Sequence, residues 1–138
     1  MLANAYQAAV VTFVKRAGGH GDLWVRSPIP MGRGLGYSGA MRVGGAALAV
    51  AHERGHLDDE ARRRVFHIAA ALEGHADNAG ASVYGGLVAT DGTTAITVTL
   101  GVEPDVVVWV PPATTSTDSS RATLPTAVAL DDAADNIG

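Results

Sequence analysis

A glycine-dense loop at residues 28–40 constrains this chain more than any other feature, because it follows a strand-like run and leads into a small-residue helix. Glycine lets successive backbone N–H groups point toward one centre, and the first turn of a helix adds donors without intrahelical acceptors. The helix dipole favours an anion at the same end. We therefore predict a phosphate site and a nucleotide ligand. The candidate nucleotide-binding residues are Pro30, Met31, Gly32, Arg33, Gly34, Leu35, Gly36, Tyr37, Ser38, Gly39 and Ala40.

Two common phosphate-binding loops fit this stretch poorly. A Walker loop places a lysine directly after its last glycine, whereas the chain's one lysine is Lys15. The glycine spacing of residues 34–39 matches the dinucleotide fingerprint, with Glu53 or Asp58 near the position of a ribose-binding carboxylate. A dinucleotide unit, however, alternates strand, helix and strand, and here a second helix is predicted after the first.

Composition narrows the class of protein. With 138 residues, 47% hydrophobic and 17% charged, the chain can fold as one globular unit. A net charge of −4 gives no reason to expect nucleic acid, and the basic cluster at residues 62–64 is too short to change that. The absence of cysteine excludes disulfides and thiolate metal sites, which suits a reducing cytoplasm. Lys15 and Arg16 end the apolar N-terminal stretch short of a membrane-spanning length, so we expect no membrane segment.

Hydrophobic periodicity and turn residues predict the secondary structure. The predicted helices are residues 2–14, 40–52, 58–73, a short one from Ser116 or Thr117 to Leu124, and 130–138; the predicted strands are 22–29, 86–89, 95–100 and 106–110. Asp91-Gly92 indicates a hairpin, and residues 75–78 a polar turn. Gly44 and Gly45 are expected to allow close packing of the first helix after the loop, and the prolines at 111 and 112 indicate a domain boundary.

Three motifs occur together in an order that resembles the homoserine kinases, a branch of the GHMP small-molecule kinases. The loop is similar to the family's Pro-x-x-x-Gly-Leu-Gly-Ser-Ser-Ala, with Tyr37 in place of the first serine and Gly39 inserted. Residues 73–78 are similar to Glu-Gly-His-Pro-Asp-Asn. Residues 116–125 look like Ser-Thr-x-x-Ala-Arg-x-x-Leu-Pro, with Ser120 replacing alanine. The resemblance covers nearly the whole chain.

The resemblance implies ATP as phosphoryl donor and L-homoserine as small-molecule substrate. His75 and Asn78 are the candidate catalytic residues and are also expected to contact the substrate. Thr117 and Arg121 complete the substrate site: they lie one helical turn apart, so a hydroxyl and a guanidinium can reach the same carboxylate. Asn78 stands where several relatives have a catalytic aspartate, so no strong general base is expected there. Phosphoryl transfer tolerates this because it depends chiefly on alignment and charge stabilisation.

The resemblance also implies Mg²⁺ as a cofactor. Ser38 and Glu73 are the candidate metal ligands, because an oxygen donor set suits this ion. His67 stands where some family members carry a metal-binding glutamate.

Each motif also has a structural interpretation. The loop could be a turn, His75 and Asn78 could end one helix and begin the next segment, Thr117 could be an N-cap, and Arg121 a surface charge.

Two functional alternatives also stay open. One is another GHMP kinase, such as a mevalonate or shikimate relative; the other is a noncatalytic nucleotide-binding fragment.

The expected architecture is therefore an α+β fold with the GHMP-kinase N-terminal topology, which is also that of a domain of a small-subunit ribosomal protein. Residues 1–110 would form a partial ATP-binding domain and residues 111–138 the beginning of the C-terminal domain. The expected activity is ATP-dependent phosphorylation of the L-homoserine hydroxyl to O-phospho-L-homoserine, a step of threonine synthesis, without nucleic-acid or membrane partners. The resemblance implies that flanking family segments are missing, so exposed apolar surfaces should cause poor solubility or self-association, for example as a homodimer.

Overall fold

A computed structural model describes residues 24–110, 112, 114, 119–120 and 122–137. The elements are α1 (Tyr37–Arg54), α2 (Asp59–Glu73), α3 (Ala76–Tyr84), β1 (Leu87–Thr90), β2 (Ala95–Val98) and α4 (Leu130–Ile137). This mixture of helices and a small antiparallel sheet confirms the α+β prediction. None of the helices in the described residues combines the length and hydrophobicity that a membrane-spanning segment requires.

Local capping explains the limits of α2. The Asp58 side chain accepts a hydrogen bond from the Ala61 backbone N–H at 2.7 Å, which satisfies one of the unpaired donors of the first turn. Two further acidic residues in that turn complement the helix dipole. Gly74 ends the helix in the left-handed conformation, with φ of 72°. The predicted helix over 58–73 is therefore confirmed.

The core lies where α1, α2 and α3 pack together. Its larger part joins α1 to α2 through buried aliphatic residues: Ala46, Val50, Ala61, Val65 and Ile68. The second part joins α2 to α3 around the fully buried Phe66, whose ring centroid lies 6.0 Å from that of Tyr84. These contacts fix the ends of the three helices relative to one another.

The hairpin follows α3. β1 and β2 pair antiparallel, with Leu87 opposite Val98 and Thr90 opposite Ala95. The Asp91 carboxylate accepts hydrogen bonds from the backbone N–H groups of Thr93 and Thr94, at 2.8 and 2.7 Å. This confirms the hairpin predicted from Asp91-Gly92.

Two strand predictions are wrong over the described residues. Residues 24–30 form no strand, because Pro28 and Pro30 lack ladder donors and no neighbouring strand pairs with them within the described ranges. Residues 106–110 are exposed and irregular although valine-rich, since β-propensity produces a strand only where a ladder partner is present.

The predicted polar turn at 75–78 is also wrong. Only His75 is non-helical, as the N-cap of α3, and the following small residues are helical because alanine is a strong helix former.

α1 begins earlier than predicted, at Tyr37. The predicted helix at 2–14 lies outside the described residues. Around the predicted helix ending at Leu124, residues 119–120 are helical and Leu124 is not; α4 confirms the last helix.

Candidate functional site

The glycine-rich loop ends in the N-terminus of α1. Gly32, Gly34 and Gly36 have φ angles of 66°, 73° and 75°, in the left-handed region that L side chains rarely adopt. Gly36 is the N-cap of α1, and the first turn after it carries no carboxylate. This end of α1 therefore presents backbone donors and the positive end of a helix dipole, and no acidic residue of its own first turn competes for them.

The loop also contacts the segment that follows the sheet. The Arg33 guanidinium donates a hydrogen bond to the carbonyl oxygen of Pro112. A Cβ built on Gly32 would lie 3.4 Å from Cγ2 of Thr114. The loop thus approaches the part of the chain that leads to Thr117 and Arg121, which themselves lie outside the described residues.

A charged cluster lies at the first turn of α1. The Ser38 hydroxyl donates to Oε2 of Glu73 at 3.2 Å, and Nη1 of Arg42 donates to Oγ of Ser38 at 2.5 Å. The Arg42 guanidinium also forms an ion pair with the same Glu73 oxygen. The Glu73 side chain is only 4% exposed, and that of Arg42 18%. Ser38 and Glu73, predicted together as metal ligands, are therefore neighbours, with an arginine already on the carboxylate.

Asn78 lies against the same end of α1. A Cβ built on Gly39 would be 3.5 Å from both Cβ and the carbonyl oxygen of Asn78, and equally close to Oγ of Ser82. Glycine at position 39 therefore lets α1 and α3 approach closely at the predicted catalytic position.

His75 belongs to the connection between α2 and α3. It is half-buried, and in the described part of the chain its side chain makes no capping hydrogen bond to α3. Gly74 and the extended backbone of His75 turn the chain between Glu73 and Asn78, so these predicted residues come from one short segment. The roles of His75 and Asn78 stay predictions.

The donor set at Ser38 and Glu73 fits magnesium poorly. Oxygen ligands suit this ion, but the Glu73 carboxylate is already neutralised by the Arg42 guanidinium. The described residues contain no group of three or more His, Asp or Glu side chains that could hold a metal ion. His67, at the family's other metal position, is exposed and lies beside Phe66.

Sequence reasoning missed Arg42. The signal was available, because Ser38 and Arg42 are four residues apart on one helix and must share a face. What the spacing could not supply was the position of Glu73, 35 residues from Ser38 in the chain.

The chain belongs to the GHMP kinase family: residues 4–86 match the family described as GHMP kinases N terminal domain. Among individual relatives, the chain is 42% identical over 113 residues to a homoserine kinase of Thermus thermophilus, covering 80% of this chain and 38% of that protein. It is 39% identical over 139 residues to the homoserine kinase of Moorella thermoacetica, covering 96% of this chain and 46% of the relative. The chain thus spans less than half the length of these relatives. The search of solved structures found no match.

Proposed function

We propose that this chain carries the nucleotide-binding part of a kinase that transfers a phosphoryl group from ATP to the hydroxyl of L-homoserine. The observation that carries the proposal is the glycine loop at the N-terminus of α1, next to Asn78, in a chain similar to proteins named homoserine kinase. The product would be O-phospho-L-homoserine, an intermediate of threonine synthesis.

The ATP phosphates would bind at the glycine loop and the first turn of α1. Backbone N–H groups there can bind phosphate oxygens, and the dipole lowers the free energy of the bound anion. The left-handed backbone at Gly34 and Gly36 supports this role, because it turns consecutive amides without steric strain.

In the transfer step, the substrate hydroxyl oxygen forms a bond to the γ-phosphorus while the bond to the ADP oxygen breaks. Asn78 and His75 would orient the hydroxyl, whose proton leaves to solvent or to the transferred phosphate. Because Asn78 is an amide and not a carboxylate, its role would be alignment by hydrogen bonding and not strong base catalysis. We propose that Thr117 and Arg121 bind the substrate carboxylate.

A two-stage assay tests the proposal. Calorimetry with ATP measures nucleotide binding, and a coupled assay then measures ADP release with L-homoserine, mevalonate or shikimate as acceptor. We expect ATP binding, ADP release with L-homoserine only, and loss of that turnover in Arg121→Ala. Turnover with another acceptor would assign a different GHMP kinase.

ATP binding without turnover would favour a nucleotide-binding part alone, which the coverage of less than half of each relative makes the second candidate. No ATP binding by the folded chain would overturn the proposal. Gly101→Ala is the control for Arg121→Ala and should keep both ATP binding and turnover. Position 101 has open space for a Cβ and lies outside the loop.

A further inference from the structure

Arg42 stands at the carboxylate where a metal ion was expected. Its guanidinium forms an ion pair with Oε2 of Glu73 and donates to Oγ of Ser38. We propose that Arg42 is a positioning residue that occupies Glu73 in place of a metal ion and fixes Ser38 at the phosphate-binding end of α1. The inference rests on the proposed kinase function for its role in catalysis.

Charge balance at Glu73 supports this assignment. A carboxylate as buried as that of Glu73 needs a positive partner, and Arg42 already provides one. A divalent ion on the same oxygen would lie within a few ångströms of the guanidinium, where screening by water is weak and the two cations repel each other. Glu73 can therefore bind Arg42 or a divalent ion, but not both at full strength.

The hydrogen bonds of Ser38 lead to the same conclusion. Its hydroxyl oxygen accepts from Arg42 at 2.5 Å, and its proton points to Glu73 at 3.2 Å. The side chain is thus already engaged within the protein. What Ser38 offers to a phosphate is its backbone N–H in the first turn of α1, and Arg42 holds that turn against the end of α2.

Binding of Mn²⁺ alone, followed by electron paramagnetic resonance, tests the inference without any phosphoryl transfer. We expect the wild-type chain and Glu73→Gln to bind Mn²⁺ equally weakly. In Arg42→Met the carboxylate is released, so Mn²⁺ should bind roughly tenfold more tightly than in the double variant Arg42→Met/Glu73→Gln. Arg42→Lys, which keeps the charge, should show no such gain.

Arg64→Met is the matched control, since Arg64 pairs with the carboxylate of Glu53 at 2.5 Å away from the loop. This variant should leave any Glu73-dependent Mn²⁺ binding unchanged. Wild-type Mn²⁺ binding that disappears in Glu73→Gln would overturn the inference, as would a folded Arg42→Met that gains no Glu73-dependent site.

A second measurement needs no variant that could fail to fold. Bound Mn²⁺ broadens nearby amide resonances, so selective broadening at Ser38 and Glu73 in the wild-type chain would also overturn the inference. We expect none. Because both readouts report metal binding, a failed kinase assay and a failed metal prediction remain distinguishable.

Discussion

Gly36 has a backbone conformation that few other residues can adopt. Its φ of 75° lies in the left-handed region, while a Cβ added there would meet no atom within 4 Å. Any cost of Gly36→Ala therefore comes from crowding of Cβ against the adjacent backbone in this conformation, and not from a clash with another part of the protein. We expect a loss of about 1–2 kcal/mol in the free energy of unfolding, together with weaker ATP binding.

Denaturant titration and calorimetry measure these two effects. Gly36→Asn should recover part of the stability, because asparagine tolerates this conformation better than alanine does. Gly101→Ala also adds a Cβ in open space, but at a position without positive φ. Equal stability of Gly36→Ala and Gly101→Ala would contradict the expected strain.

Asp58 links the pH dependence of stability to the N-cap of α2. The hydrogen bond from the Ala61 backbone N–H lowers the pKa of this carboxyl below its ordinary value of 3.8, with smaller contributions from His56 and Arg54. The folded chain thus binds this proton less readily than the unfolded chain, and the stabilisation is present above about pH 4 and lost as pH falls further. Asp58→Ala should lower the melting temperature at pH 7.

Melting curves at pH 7 and below pH 3 measure this effect, and the gap between wild type and Asp58→Ala should narrow in acid. Asp58→Asn keeps a capping oxygen without the charge, so its melting temperature should respond less to acid. Glu103→Ala is the control, since Glu103 is an exposed carboxylate outside the first turn of α2. A gap that stays constant down to pH 2 would exclude the carboxylate as its source.

At the scale of elements, the glycines of α1 and α3 differ in what surrounds them. We expected Gly44 to permit close packing, but a Cβ there would meet nothing within 4 Å. At Gly80, by contrast, a Cβ would lie 3.1 Å from Cγ1 of Val88 on β1. Gly44→Ala should therefore stabilise the chain by up to about 1 kcal/mol.

Gly80→Ala should destabilise the chain by about 1 kcal/mol, because Val88 is stiff and must move to make room. Chemical denaturation of the two variants gives the comparison directly, each acting as control for the other. If both variants instead raised the free energy of unfolding, helix propensity alone would decide these positions.

The elements that sequence predicted correctly are those whose signals are local. For α2, the Asp58 cap, the apolar periodicity and Gly74 lie within one segment, and the hairpin has its turn between its own strands. Residues 106–110 carry a strand pattern whose partner cannot be read from that segment. At the site, the loop and Glu73 were predictable from motifs, whereas the Arg42 contact depends on how α1 packs against α2.

At the scale of the whole molecule, the exposed valines after the hairpin are the clearest unpartnered apolar surface of the described residues. Val107 is 94% exposed and Trp109 80%, and Val106 and Val108 are also exposed. Contiguous apolar exposure of this kind favours association, because burying it removes apolar area from water. We expect the chain to self-associate as its concentration rises.

Sedimentation velocity measures this association, and Val107→Lys/Trp109→Ser should shift the distribution toward monomer. Leu57→Lys, at a single exposed leucine between α1 and α2, should leave the distribution unchanged. A wild-type chain that stays monomeric up to about millimolar concentration, where even weak contacts of about 4 kcal/mol would be populated, would show that this segment is not an association surface.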